Sequence, residues 1–408
     1  MGRAARIIAL IETRLTRQNL LFFAVVFPAF TLALECYVVW SNPANSGRMP
    51  IGHDFLAFWS SARLFLTDGL AAVYDLGAQA DLQKRYHTGP GLLVWYYPPT
   101  WLLANLPLGN LPYGVAVAVF TAVSFAALLL YWRLVRPMDG TFGVAAVIGA
   151  PVIIVNLIQG QNGIVTASVL ALALTLHWRG YLWPAALVLG LLVIKPHLAL
   201  LVPVALLAAR DHRLFLRTAG VAVGYCLLTG MIVGFDSWSA FVMHLSDAKS
   251  IALTEIDLLA QNPSAYAMLT LALVPEPLAI AAQAISALLG IAFIWRLWAG
   301  NAEPDLKLAG LMAASLLISP YVFRYDMTFT LAATLLLLRI ARRDGYLGGE
   351  KLTLAVLWIM PAVFPVIAGA ARIQLGFPVL LLALWSVWRR SQYQGLAEPF
   401  ADGRVKPA

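Results

Sequence analysis

Long runs of apolar residues separated by short polar stretches make up most of the chain from residue 20 onward. About 20 consecutive apolar residues can cross a bilayer as one helix, and some runs reach that length while others are shorter. This pattern predicts an all-α protein, a polytopic bundle of transmembrane helices. We predict about twelve spans, at residues 20–40, 113–132, 141–158, 162–178, 181–196, 198–209, 215–234, 277–298, 306–319, 325–339, 352–370 and 374–389.

The composition supports a membrane protein and excludes an ordinary soluble one. Hydrophobic residues make up 61% of the 408 residues and charged residues only 12%, with a mean hydropathy of +0.79; soluble domains are usually about 25% charged. In a soluble chain the net charge of +8 would suggest a nucleic-acid partner. We expect no nucleic acid here, because the basic residues of a membrane protein determine its orientation in the membrane. Cys36 and Cys226 lie inside apolar runs and offer neither a disulfide framework nor metal-ligand spacing.

The distribution of basic residues predicts which side of the membrane each loop faces. Four arginines precede the first apolar run against a single acidic residue, Glu12, which favours a cytoplasmic N-terminus. When the predicted spans are threaded alternately from that side, the other basic clusters and the C-terminus also fall in the cytoplasm. These clusters contain Arg133, Arg136, Arg179, Arg210, Arg213, Arg217, Arg296, Lys307, Arg339, Arg342, Arg343, Lys351, Arg389 and Arg390.

The opposite side receives a long first loop, residues 41–112, within a single domain predicted over 1–390. Two stretches of this loop, "DFLAFWSSARLFL" and "LGAQADLQKRY", have helical apolar spacing, and Asp75 is placed to cap the second. "YYPPTWLLANLPL" predicts an extended segment leading into a re-entrant apolar helix. We therefore expect interfacial helices in this loop and, after residue 390, a disordered cytoplasmic tail over 391–408.

Polar residues flanked by apolar sequence also collect on this side. Besides His53 and Asp54 in the first loop, the predicted turns carry "QGQNG" at 159–163, "KPH" at 195–197 and "SPYVFRYD" at 319–326. A charge at membrane depth is costly, so Lys195 requires a partner or a water-filled cavity unless it snorkels to the interface. Side chains at adjacent helical positions diverge, so His53 and Asp54 are expected to face different neighbours.

The order of these motifs resembles glycosyltransferase family 87, a family of membrane sugar transferases of the GT-C type. The resemblance rests on "GHDFxxFW", "LxxGLxxVYD", "YYPP" before a run ending "LPL", "GQNG", "KPH" and "SPYxxxYD", in that order over residues 51–330. It implies a hexose, with mannose the expected sugar, transferred from a polyprenyl-phosphate donor to a lipid or glycan acceptor. It also implies an extracytoplasmic active site in the bacterial inner (plasma) membrane, without metal or cofactor.

The resemblance implies that Asp54 is the general base. This agrees with the chemistry, because an inverting displacement requires one carboxylate that takes the proton from the acceptor's hydroxyl group. His53 could tune the charge of this carboxylate, hold the phosphate or do neither. Asp54 could instead only cap its helix. Family members often carry a histidine after the "SP" pair, where this chain has Arg324, a side chain whose donors match phosphate oxygens. The further candidates are Lys195, His197 and Arg63 for the phosphate, and Gln161, Asn162, Tyr97, Tyr321 and Asp326 for the sugar or acceptor.

Other interpretations of the same residues remain open at this stage. Asp326 could pair with Arg324 as a structural ion pair, and the amides of Gln161 and Asn162 could only satisfy their own turn. Tyr97 and the nearby tryptophans could be interfacial anchors. Two rival functions are a secondary transporter, which suits broken helices but should show an internal repeat, and a polyprenyl-linked glycan ligase or flippase. A ligase is expected to carry its large loop late in the chain.

Overall fold

The structure is a computed structural model that describes residues 3–41, 52–86, 92–138, 140–253 and 255–401, and these residues are predominantly α-helical. The first group of helices is α1 Arg3–Arg14, α2 Arg17–Ser41, α3 His53–Asp68, α4 Leu70–Tyr74, α5 Leu76–Gln83, α6 Pro99–Gly109, α7 Tyr113–Val135, α8 Thr141–Ile148, α9 Pro151–Gln159, α10 Gly163–Trp178 and α11 Leu182–Gly190. The second group is α12 Pro196–Ala199, α13 Leu201–Ala208, α14 His212–Val233, α15 Asp236–Ala252, α16 Ile256–Ala260, α17 Ala265–Leu271, α18 Glu276–Ala299, α19 Pro304–Ser315, α20 Thr328–Asp344, α21 Glu350–Ala371 and α22 Gly376–Ala401. The described residues also include 3-10 helices at Leu191–Ile194 and Arg324–Met327.

By length and composition, four of the described helices can each cross a membrane: α7, α14, α18 and α21. The pair α8 and α9 makes a fifth if it counts as one span, bent by 51°. The bend falls at Gly149–Pro151, where proline lacks a backbone donor and Gly149 lies against the Ala24 carbonyl of α2. The all-α membrane class is thus confirmed, whereas the count of twelve spans remains a prediction.

The first loop packs on the bundle, and its Asp75 cap agrees with the prediction from the sequence. Asp75 caps α5, because its Oδ1 accepts hydrogen bonds from Gly77 N at 2.7 Å and Ala78 N at 3.0 Å. Residues 92–98 form neither helix nor strand, and Pro98, with φ −66° and ψ 159°, is extended and leads into α6. Residues 42–51 and 87–91 of the predicted loop lie outside the described residues.

Aromatic side chains attach this loop to the bundle. Phe58 lies at the centre, with ring centroids 4.9 Å from Tyr97, 5.5 Å from Trp101 and 6.2 Å from Phe120 of α7. The tryptophans of the loop are buried, so they are core residues and not the exposed interfacial anchors that the sequence left possible.

The two ends of the bundle differ in chemistry. At one end, Arg339 binds both carboxylate oxygens of Asp305 and also the carbonyls of Leu134 and Arg136, which joins α7, α19 and α20. Two of the basic residues predicted to lie on one side, Arg136 and Arg339, are thus in contact at this end. The chain after Trp388, predicted to be disordered, continues in α22 to Ala401, while residues 402–408 lie outside the described residues.

Candidate active site

Asp54 lies in the first turn of α3 and is partly exposed. The N-cap residue is Gly52, in the left-handed conformation at φ 72°, and no side chain caps the helix. The Asp54 oxygens instead lie 2.7 Å from His53 Nε2 and 2.7 Å from Gln161 Nε2. The geometry thus does not support the interpretation of Asp54 as a helix cap alone.

The direct contact between His53 and Asp54 corrects the expectation that their side chains diverge. Both residues belong to the first turn of α3, where no preceding turn lies beneath the side chains to keep them apart. The two side chains are 21% and 20% exposed, so the pair is reachable from outside the protein.

Glycines bring the turn at 160–163 against α3. Gly160 adopts φ 68°, and a Cβ placed on it would lie 2.8 Å from Phe55 Cβ and 2.9 Å from Gly52 Cα. The Gly52 backbone donates to the Ile158 carbonyl at 3.0 Å. Because only glycine permits both the conformation and this approach, the turn delivers Gln161 to the Asp54 carboxylate.

Gln161 links the carboxylate to the extended segment of the first loop. Its Nε2 donates to Asp54, and its Oε1 accepts from the Tyr97 hydroxyl at 3.1 Å. Burial raises the pKa of the Tyr97 hydroxyl well above its ordinary value, and the carboxylates of Asp326 and Asp54 act in the same direction. The phenol therefore stays neutral and keeps its proton for this hydrogen bond.

The pKa of Asp54 results from opposed influences. Burial raises it, but the charge of His53, the hydrogen bonds from His53 and Gln161, and the charge of Arg324 lower it, and the net pKa lies below the ordinary value of 3.8. Asp54 is therefore ionised at neutral pH. A carboxylate offers about four lone-pair sites, so two remain for an incoming hydroxyl after the contacts to His53 and Gln161.

A buried ion pair lies beneath this turn. Lys195 Nζ is 2.5 Å from Asp326 Oδ1 and 3.0 Å from Asn162 Oδ1, and these three side chains are at most 3% exposed. The second Asp326 oxygen accepts from the Phe323 backbone at 3.1 Å. Asp326 thus pairs with Lys195. Because Lys195 is buried in this pair, its ammonium group does not snorkel to the membrane interface. Asn162 accepts a further hydrogen bond from the same ammonium group.

Arg324 and His197 lie at the edges of the same cluster. Arg324 begins the 3-10 helix that leads into α20, is partly exposed, and is close enough for its charge to lower the pKa of Asp54. His197 follows Pro196 in α12, directly after Lys195, and its Nε2 is buried without a hydrogen-bond partner among the described residues. Most of the predicted site residues are therefore brought together.

Two predicted site residues lie elsewhere. Arg63 is nine residues beyond Asp54 on α3, roughly 13 Å along the helix axis, and donates to the Gly109 carbonyl at 3.4 Å. Tyr321 packs against the cluster that contains Leu253 and Tyr266.

Two further residues, Asn156 and Tyr325, hold the site together and were not predicted from the sequence. Asn156 Nδ2 donates to the Tyr325 carbonyl at 2.9 Å, which joins α9 to the segment carrying Arg324 and Asp326. The Tyr325 ring covers Lys195, with its centroid 4.7 Å from Nζ. Asn156 could have been found as the one amide inside the apolar stretch "PVIIVNLI", which signals a satisfied polar contact between helices.

These side chains form a partly exposed ionised carboxylate beside a cation, held from below by buried polar groups. Such a site can accept a proton from a hydroxyl and hold an anion nearby. Among the described residues, no group of three or more histidine, cysteine or acidic side chains is arranged to hold a metal ion.

Comparison with known proteins gives one match. Searches of the curated proteins and of the solved structures found no significant similarity. The family model of glycosyltransferase family 87 matches residues 95–320, more than half of the chain, and this range includes Gln161, Lys195 and the start of the "SPY" motif. The chain is therefore a membrane glycosyltransferase and belongs to glycosyltransferase family 87.

Proposed function

We propose that this glycosyltransferase moves a hexose, with mannose the expected sugar, from a polyprenyl-phosphate donor to a hydroxyl of a lipid or glycan acceptor. The observation that carries the proposal is the ionised, partly exposed Asp54, held by His53 and Gln161 close to the positive charge of Arg324. Membership of a transferase family favours this chemistry over the transporter, flippase and ligase alternatives.

The proposed reaction is a single displacement with inversion at the anomeric carbon. The acceptor oxygen forms a bond to that carbon as the bond from the carbon to the phosphate oxygen breaks, and polyprenyl phosphate leaves with the bonding electrons. Asp54 takes the hydroxyl proton as the new bond forms. Gln161 and His53 fix the carboxylate in place, so no reorganisation is needed when the proton arrives.

The buried residues have positioning roles in this mechanism. Asn162 and Asp326 are fully buried, so we assign them, together with Lys195, to support of the turn that carries Gln161. Tyr97 is partly exposed beside Gln161 and remains the candidate for contact with the sugar ring. Lys195 is buried in its pair with Asp326. Arg324 is the first candidate for the donor phosphate, because it is partly exposed and close enough for its charge to act on Asp54.

The Arg324 assignment predicts a specific loss of donor binding. Hydrogen bonds to a charged group contribute about 1.5–3 kcal/mol, so Arg324→Ala should raise the dissociation constant of the donor roughly ten- to hundred-fold. Arg63→Ala removes a cation that lies away from Asp54 and is the matched control, with donor binding unchanged. An unaltered dissociation constant in Arg324→Ala would exclude the phosphate role.

We also propose that the site faces the extracytoplasmic side of a bacterial inner (plasma) membrane. Support comes from the basic residues at the other end of the bundle, such as Arg339, Arg343 and Arg390, because cytoplasmic loops carry an excess of lysine and arginine. The donor's isoprenoid chain would then lie in the membrane between helices, with its phosphate at that surface.

The test of the proposed function is transfer by purified protein. The full-length protein is incubated with several polyprenyl-phosphate hexoses and a membrane lipid extract as acceptor, and mass spectrometry follows loss of each lipid-linked hexose. One donor should be consumed. Asp54→Asn should slow its consumption at least about 100-fold while leaving donor binding intact; wild-type protein inactive on every donor, or undiminished turnover by the variant, would overturn the proposal.

A further inference from the structure

A cavity lies near the end of the bundle opposite to Asp54. It is an open groove of about 570 Å³ between α2, α8, α20 and α21. Its walls are almost entirely apolar and include Phe23, Phe27, Phe142, Leu335 and Trp358. Volumes of about 300 to 1,000 Å³ are typical of small-molecule sites in proteins.

Two cationic side chains and a tyrosine line one end of this groove. Arg342 is the last residue of α20 that lines the groove, and Lys351 is the first residue of α21 that does so. The Lys351 Nζ atom lies 5.0 Å from the centroid of the Tyr346 ring. Neither cation forms an ion pair within 4.0 Å with a carboxylate of the described residues; the neighbouring Arg343 and Arg390 pair with Glu303 and Glu350 instead. The groove therefore offers positive charge at its mouth and hydrocarbon contact within.

The length of the groove fits one leaflet of a membrane. Along α21 the lining extends from Lys351 to Ile359, and along α20 from Arg342 back to Thr334, in each case roughly 12 Å of helix. Half of a bilayer's hydrocarbon core is about 15 Å thick. The depth suits an acyl chain of a leaflet lipid and is short for a long isoprenoid.

We propose that this groove binds an anionic phospholipid of the leaflet next to the basic end of the bundle. An acyl chain lies between α2 and α21, and the phosphate contacts Arg342 and Lys351. Basic sites between membrane helices on the cytoplasmic side recognise anionic head groups through this combination of charge and apolar surface. The site is distinct from the catalytic one, because Thr328 and Arg342 are fourteen residues apart on α20, roughly 21 Å.

The test is equilibrium binding by delipidated full-length protein in detergent, followed by native mass spectrometry. Phosphatidylglycerol should bind, and phosphatidylcholine with the same acyl chains should bind at least ten-fold more weakly. The double variant R342Q/K351Q should lose roughly ten- to thirty-fold in phosphatidylglycerol affinity. The matched control R213Q/R217Q removes the same charge from α14 and should keep wild-type affinity.

A second variant tests the apolar part of the site independently. Ala355 lines the groove on α21, and Ala355→Trp fills it without changing charge, so phosphatidylglycerol binding should fall by a similar factor. Retention of the wild-type melting temperature shows that either variant has folded. Equal binding of both lipids, equal loss in R213Q/R217Q, full binding by Ala355→Trp, or stronger binding of polyprenyl phosphate at these residues would each overturn the proposal.

Discussion

Asp54 and His53 are adjacent residues in the first turn of α3, and their contact holds the Asp54 carboxylate where it can accept a proton. The histidine is the first helical residue of α3 and the aspartate the second, and their side chains touch at 2.7 Å. The sequence showed that both residues stand at the start of a loop helix. It did not show their contact, because helical periodicity describes the interior of a helix and not its first turn.

The His53 contact leads to a prediction on pH dependence. The pKa of Asp54 lies below 3.8 in the folded protein, so the carboxylate is ionised above that range and gains its proton only as the pH falls through the lowered pKa. His53→Gln removes a principal cause of the lowering, so the pKa rises. The acidic limb of the pH profile of kcat/KM should move to higher pH, whereas His244→Gln, on α15 outside the site, should leave it in place. An acidic limb unmoved in His53→Gln would show that His53 does not tune the carboxylate.

The Lys195–Asp326 pair leads to a prediction on stability. Removing one partner of a buried ion pair leaves an uncompensated charge and costs about 3–5 kcal/mol. Lys195→Met should therefore lower the melting temperature in detergent strongly, and the double variant K195M/D326L should recover part of the loss. Lys84 forms an exposed pair with Asp81, with side chains 72% and 78% exposed, so Lys84→Met should have almost no effect. Similar losses in Lys195→Met and Lys84→Met would contradict the structural role.

At the scale of elements, the turn between α9 and α10 carries the site. Gly160 allows contact with α3, and Gly163 allows contact with the segment before α20, so the turn lies between the two elements that carry Asp54 and Arg324. The "GQNG" motif predicted a tight turn. It did not predict the two neighbours, which become visible only when distant parts of the chain pack together.

Gly163→Ala should disturb this packing. A Cβ there would lie 2.5 Å from the Tyr325 carbonyl oxygen, 2.6 Å from Asn156 Oδ1 and 2.8 Å from Thr328 Oγ1. Overpacking of this kind costs about 1–3 kcal/mol, so both the melting temperature and the transfer rate should fall. Gly114→Ala on α7 is the control, because nothing lies within 4 Å of its added carbon. A fully stable and active Gly163→Ala protein would show that the turn can shift without consequence.

Other elements followed directly from the sequence. A helix over 54–66, which the structure has as α3, the Asp75 cap and an extended segment before Pro99 were predicted because each depends on local signals: apolar spacing, an acidic cap and paired prolines. The continuation of α22 beyond Trp388 was not predicted, since composition alone suggested a tail. The side-chain network around Lys195 was not predicted either, because its partners are up to 131 residues apart.

At the scale of the whole molecule, polar residues gather at two opposite ends of the apolar bundle. One end holds Asp54 and Lys195, and the other holds the arginine clusters around Asp305 and Glu350. The positive-inside rule had predicted from the sequence that the arginines of the second end share one side of the membrane. The number of spans was less accessible to prediction, because α10 and α13 are apolar but short.

The orientation can be tested by labelling with a membrane-impermeant thiol reagent. In a background with Cys36 and Cys226 replaced by serine, Leu76→Cys should react in intact cells, since Leu76 is exposed at the Asp54 end. Gly348→Cys, between α20 and α21, should react only after the membrane is opened. Labelling of Gly348→Cys in intact cells would reverse the proposed orientation.

The contact between α1 and α21 has a consequence for assembly. The Glu12 carboxylate accepts hydrogen bonds from the backbone of Gly349 and Lys351, so a residue from the start of the chain caps a helix made near its end. Ribosomes add about 5–20 residues per second, so the 337 residues that follow Glu12 as far as Gly349 take roughly 17 to 67 seconds to synthesise. During that interval the first helix has no docking partner on α21, and it can reach its final position only after Gly349 and Lys351 have been added.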